Sequence, residues 1–248
     1  MGLFCQMLHV YNASQPDVEK ALGSVLSKSS FSLLKSSTVN ATELGLQVDA
    51  SSAPAYIIGP NLGRWAPIID LYAKPWTGDI CTDLSRKCST YVLCLMVHDN
   101  DVMFYNLDQN GNSLDGYNSN LQYFEKERVP ESEIQSQRHT PESFTPLLPS
   151  DKTLDSLLAV LNAGWWQAHE SGRLDDDGVM TEDDWDACPY QDEGERMTAL
   201  GTLLQLAGHL EYPFANWREN TTINWEGYKL LQYGRKPSLL GRMFRKKT

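Results

Sequence analysis

A histidine stands between an apolar run and two aspartates in the string Val97-His98-Asp99-Asn100-Asp101-Val102. An imidazole beside carboxylates at a strand end has the composition of an open metal site or a general base. It also has the composition of a plain reversal, because Asp and Asn bond nearby backbone and tolerate left-handed angles. The turn is the simpler reading of His98, Asp99 and Asp101. A second string, Asp115-Gly116-Tyr117-Asn118-Ser119, is followed closely by Tyr123-Phe124-Glu125. Read as surface, Asp115, Tyr117 and Asn118 offer rings and polar groups to a ligand or partner. Read as structure, they form an Asx-type turn with Tyr117 and Phe124 tucked onto a sheet.

The third candidate is acidic. Residues 171–186 read SGRLDDDGVMTEDDWD. A calcium loop needs oxygen ligands at alternate positions, Gly at the sixth and Glu at the twelfth. With Gly178 sixth, Asp177 and Asp175 fall correctly, but Arg173 takes the first place and Asp184 the twelfth. The same test on Gly111 puts Tyr117 where the Glu belongs, so neither loop has the ligand set. The remaining readings are a solvated face, or a field that attracts a basic protein partner through Asp175, Asp176 and Asp177. Trp185 inside the segment supplies the aromatic anchor that such an interface uses.

Other chemistry lacks its usual signals. The chain contains no HExxH, GxSxG, GxGxxG, Walker motif or CxxC. No metal or cofactor is expected. Five cysteines, Cys5, Cys81, Cys88, Cys94 and Cys188, are odd in number and irregular in spacing. Cys5 and Cys94 lie inside apolar runs, where a thiol acts as a small hydrophobe. Reduced thiols in a cytoplasm are the economical reading. No leader pattern opens the chain, and Gln6 stands where a myristoylation pattern wants Ser or Thr.

The totals narrow the partners. The 248 residues carry 32 acidic and 21 basic side chains, a formal charge of −11. That balance repels nucleic acid and anionic membrane. No apolar run reaches the roughly 18 residues of a spanning helix. Hydrophobic residues at 41% are enough for a core. The basic tail, with Arg242, Arg245, Lys246 and Lys247, reads as a solubilising end.

The elements that must carry these residues follow from period and punctuation. Residues 91–97 are almost wholly apolar and predict a strand covered on both faces. Residues 102–107 predict its partner. Asn110-Gly111 predicts a type I′ turn, which needs positive φ at both central positions. Residues 113–117 complete a meander at one edge of a larger sheet. Upstream, 3–11 reads as a strand, 16–28 as an amphipathic helix and 31–34 as a strand. Residues 44–48, 55–58 and 64–72 read as strands, 74–78 as a turn and 79–88 as a helix. Residues 126–153 carry four prolines and no periodicity, which marks a linker or a long crossing loop. Helices over 153–166 and 194–209 and a strand over 221–233 follow.

The expected organisation is α+β: a mostly antiparallel sheet with helices on one face, plus a smaller helix-rich C-terminal part. Its bounds are 1–125 for the sheet domain, 126–152 for the linker, 153–238 for the second part and 239–248 for the tail. Across residues 84–125, Leu84-Ser85, the His98 string, Gly111 and the Asp115 string resemble a pattern in uncharacterised bacterial proteins. The resemblance implies a bacterial, cytoplasmic protein and no particular activity. The leading functional expectation is a non-catalytic binding or regulatory protein that engages a basic protein partner through its acidic face. The alternative is an enzyme whose site gathers His98, Asp99 and Asp101 in one pocket.

Overall fold

The structure, a computed structural model, describes residues 4–39, 54–61, 63–71, 79–206 and 225–235. Eight strands form one antiparallel sheet: β1 (Phe4–Tyr11), β2 (Phe31–Thr38), β3 (Ala55–Ile58), β4 (Trp65–Asp70), β5 (Tyr91–His98), β6 (Val102–Gln109), β7 (Asn112–Asn118) and β8 (Lys229–Arg235). Their order across the sheet is β2-β8-β3-β4-β1-β5-β6-β7. The fold is α+β, with the meander β5-β6-β7 at one edge.

Strand period explains how a continuous apolar run serves two cores. In β5, Val92 and Cys94 point to one face, while Leu93, Leu95 and Val97 point to the other. The first face is covered by α1 (Gln15–Lys28) and α2 (Asp79–Cys88), through Val18, Leu22, Leu26, Cys81 and Leu84. Ser14 caps α1 by accepting from the Asp17 N–H at 3.3 Å. The second face receives α3 (Glu131–Ser136), a 3₁₀ turn over Pro141–Leu147, α4 (Leu154–Leu161), α5 (Trp165–Glu170), α6 (Glu182–Ala187) and α7 (Glu193–Leu203). Ile134, Phe144, Leu157, Leu161, Trp165, Trp166 and Leu200 bury there against Leu93, Leu95, Tyr105 and Trp65. Full burial of each such side chain contributes about 1.5–3 kcal/mol.

Three stretches carry detail beyond what was expected of them. Residues 126–152, expected as a linker or a long crossing loop, hold α3 and the 3₁₀ turn, whose Ile134, Phe144 and Leu147 enter the core. Elements this short bury one to three side chains each, so no period accumulates. The helix expected over 153–166 breaks between α4 and α5, where Gly164 takes φ 73°. The strand ending the C-terminal part belongs to the main sheet, because β8 pairs with both β2 and β3. The expected strand at 44–48, the turn at 74–78 and the basic tail lie outside the described residues.

Both hairpins of the meander take the turn that their residues favour. Asp99 and Asn100 have φ 54° and 68°, and the Asp101 N–H closes on the His98 carbonyl at 3.0 Å. Asn110 and Gly111 have φ 51° and 87°. Gly111 also sits against α2: its N–H donates to Ser85 Oγ at 2.9 Å, and a Cβ there would lie 2.5 Å from Arg86 Nε.

Candidate functional site

The three strings singled out by composition occupy three different environments. Asp115 and Tyr117 are 6% and 5% exposed, so Tyr117 is tucked onto the sheet as the turn reading has it, whereas Phe124 stays 55% exposed. The reason is strand parity: Asp115 and Tyr117 both point to the sheet face that the later helices cover. Asp115 accepts from the Tyr105 hydroxyl and from the Thr140 N–H, each at 2.7 Å. Tyr117 stacks on Tyr105, with centroids 5.2 Å apart, and donates to the Leu161 carbonyl at 2.7 Å. Burial pushes the Asp115 carboxyl up, opposed by those two donors. Burial also raises the hydroxyls of Tyr105 and Tyr117. Asn118 makes the Asx turn: its Oδ1 accepts from the Asn120 N–H at 2.9 Å, and its carbonyl accepts from Trp166 Nε1 at 2.8 Å.

Arg196, which the sequence reading passed over, completes this interior network. Its Nε donates to Glu193 at 2.7 Å, and its Nη1 donates to the Ala163 and Val160 carbonyls at 2.8 and 2.9 Å. Those carbonyls close the C-terminal end of α4. The legible signal was Glu193 three residues before Arg196 on a helix whose Met197 and Leu200 are apolar. His139 packs edge-on to Tyr117 and Trp166 at 5.5 and 5.6 Å. Burial lowers its pKa, with Arg138 acting the same way and Asp115 opposing. The donors and acceptors of Asp115, Tyr117 and Arg196 are committed to other elements, so the network ties the helical layer to the sheet.

The His98 turn lies at the rim. His98 meets Phe124 and Tyr123 edge-on, with centroids at 5.1 and 6.1 Å. Asp101 accepts from the Tyr123 hydroxyl at 2.9 Å, and Asp99 adds its charge near that hydroxyl. The turn is pinned from below, where the Glu193 N–H donates to the Asn100 carbonyl at 2.9 Å. His98 and Asp101 thus both contact Tyr123. Among the described residues no three His, Cys, Asp or Glu side chains lie close enough to hold a metal ion.

The acidic segment is a held surface. Asp175 Oδ1 accepts from the Asp177 and Val179 N–H groups at 3.0 and 2.8 Å. The Asp175 and Asp176 carbonyls accept from Arg128 Nη1 at 3.1 and 3.3 Å. Thr181 caps α6 and also donates its hydroxyl to Asp184 at 2.8 Å, while Arg173 pairs with Asp184 at 3.2 Å. The exposed remainder is Asp176, Asp177, Glu182, Asp183 and Asp186, with Val179 and Trp185 each 45% exposed among them. Beside the loop lies a cleft of about 120 Å³, lined in part by Arg128, Glu131, Trp165, His169 and Gly178. His169 stacks on Trp165 at 5.4 Å and reaches Glu131 at 3.0 Å, while Trp165 Nε1 donates to the Gly178 carbonyl at 3.0 Å.

Three of the described thiols, Cys81, Cys88 and Cys94, are shielded by burial. Cys81 and Cys94 are buried, and Cys81 is raised by burial and by its bond to Cys94. Burial pushes the half-buried Cys88 thiol up to about 11, with Asp17 adding to it. No described helix is long and apolar enough to cross a membrane.

Comparison of the chain with protein-family models, with curated proteins and with solved structures finds no match in any of the three.

Proposed function

We propose that this is a non-catalytic binding protein whose acidic face, residues 175–186, receives a basic segment of a protein partner. The observation that carries the reading is Trp185: a large aromatic left 45% exposed on a helix pinned by Thr181 and Arg173. A rigid aromatic among solvated carboxylates loses little entropy on binding and supplies apolar contact, while the charges steer and orient the partner. Asp176 and Asp177 are the carboxylates available for that pairing, since Asp175 is committed to its own loop. Among the described residues four cysteines are free, two of them in contact, which supports a reducing, cytoplasmic setting for this activity. The enzymatic alternative required His98 and two carboxylates around one cleft. His98 packs against Tyr123 and Phe124, and Asp101 accepts the Tyr123 hydroxyl, which favours the binding reading.

The test is affinity capture from the native cell with the whole chain, followed by titration of the captured partner. Trp185→Ala weakens capture about 30-fold, the equivalent of about 2 kcal/mol. Asp176→Lys with Asp177→Lys weakens it further and flattens its salt dependence. Both variants keep the wild-type melting temperature, because these side chains face water. Undiminished capture by both would overturn the proposal.

A further inference from the structure

We infer that the aromatic patch at the β5–β6 turn is a second binding site, specific for the guanidinium group of an arginine side chain. The inference rests on the reading of this protein as a binder of basic partners, and it adds a site and a chemical class to it. Four rings adjoin there. Phe104 and Phe124 stack at 6.2 Å with 19° between planes; Tyr123 meets Phe124 at 4.8 Å, and His98 touches both Tyr123 and Phe124. Phe124, the outer ring, is 55% exposed. A lone exposed Phe needs no explanation. A stacked pair with its outer member open to water, backed by two further rings, is a platform.

The charge beside it selects the occupant. The electron-rich face of an aromatic ring attracts cations. Asp101 Oδ2 accepts the Tyr123 hydroxyl at 2.9 Å, which fixes the carboxylate next to the rings. A carboxylate has two oxygens and about four lone-pair sites, so Oδ1 retains capacity for an incoming donor. Asp99 adds negative charge at the same turn. A guanidinium matches all of this: it is planar, weakly hydrated, stacks on a flat ring and donates N–H groups in a fixed fork. A lysine ammonium, strongly hydrated and compact, gains less from an open, flat platform than from an enclosed cage. The site is also preorganised, because the turn is closed by the Asp101-to-His98 bond and anchored through Asn100 to Glu193. Little ordering remains to be done on binding.

The experiment titrates isotope-labelled whole chain with three short capped peptides, identical but for a central arginine, citrulline or lysine, and follows backbone amide shifts. The arginine peptide moves the amides of residues 98–104 and 123–125 in a saturable way. Citrulline, which keeps the shape and loses the charge, binds at least 10-fold more weakly, and lysine about 3-fold more weakly. Phe124→Ala and Asp101→Asn each weaken arginine binding about 5- to 10-fold; the Asn still accepts the Tyr123 hydroxyl, so the turn stays folded. Equal binding of all three peptides, or shifts confined to residues 175–186, would overturn the site. The two readings separate with the captured partner. Loss with Trp185→Ala but not with Phe124→Ala removes this site and leaves the proposed function. The reverse pattern keeps this site and removes the acidic-face reading.

Discussion

Asp115 shows how a single carboxylate can be read wrongly from composition and rightly from its partners. It is enclosed, and two donors from different elements converge on it, the Tyr105 hydroxyl within the sheet and the Thr140 N–H across to the helical layer. Removing it strands both donors in the interior, which costs about 1–3 kcal/mol. Asp115→Ala is expected to lose that amount in urea unfolding, and Asp115→Asn less, since an amide can still accept from Thr140 and let the Tyr105 hydroxyl turn to accept. His139, beside Tyr117 and Trp166, carries the pH dependence of the same region. Burial holds its folded pKa below the ordinary value of about 6.5, so the unfolded chain takes up a proton that the folded chain refuses. Its contribution is fully present above that value and is lost as pH falls below it. His139→Phe keeps the ring contacts and removes the titration. The variant should therefore lose less melting temperature than the wild type between pH 7 and pH 5.

At the scale of elements, ends matter more than middles. Thr181 and Asp192 cap α6 and α7 with side chains that accept the Asp184 and Glu195 N–H groups. The C-terminal end of α4 is capped from outside: Arg196 satisfies the Val160 and Ala163 carbonyls, and Tyr117 satisfies Leu161. That is why a run that reads as one helix over 153–166 stops after Leu161 and restarts at Trp165. Gly164 bends between the two helices with its α-carbon side against Arg196 Nη2, where a Cβ would lie 3.0 Å away. Arg196→Met takes away the partner of a buried Glu193 and uncaps the Val160 and Ala163 carbonyls. A loss of about 3–5 kcal/mol is expected from chemical denaturation, in keeping with breaking a buried ion pair. Adding Glu193→Gln recovers part of it by removing the stranded charge. A double variant as unstable as the single one would place the cost in the carbonyls rather than in the pair.

At the scale of the molecule, β8 decides what can fold. It lies between β2 and β3, far from both in sequence, and pairs with both. Its Leu230 enters one core and its Leu231 the other. A chain truncated after residue 224 leaves β2 without its neighbour and β3 with one side open. It is expected to lose cooperative thermal unfolding and to expose apolar surface to a dye such as ANS. Residues 1–125 alone should behave the same way, because the sheet face bearing Leu93, Leu95 and Tyr105 would lack its cover. A sharp melt from the 1–125 fragment would show instead that the sheet is sufficient without its last strand.

Local signals were enough for much of this. Residues 91–98 alternate between two buried faces, and a run that apolar has no water-facing side to offer. Asp99-Asn100 and Asn110-Gly111 adopt positive φ because few other pairs tolerate it, so both hairpins were written in four residues. Ser14, with Pro16 and Asp17 after it, set the start of α1 for the same local reason. What lay beyond local signals was everything that depends on which face a neighbour covers. Asp115 and Tyr117 could be read as surface or as turn until the helices from residues 131–203 were laid over them. The exposure of Phe124 and Trp185 was undetermined for the same reason, since a ring's fate depends on what packs against it. The partnership of Arg196 with α4, and the place of β8 inside the sheet, join residues far apart in the chain. Period and turn chemistry act over a few residues; burial and pairing act through space, and only the folded chain brings those partners together.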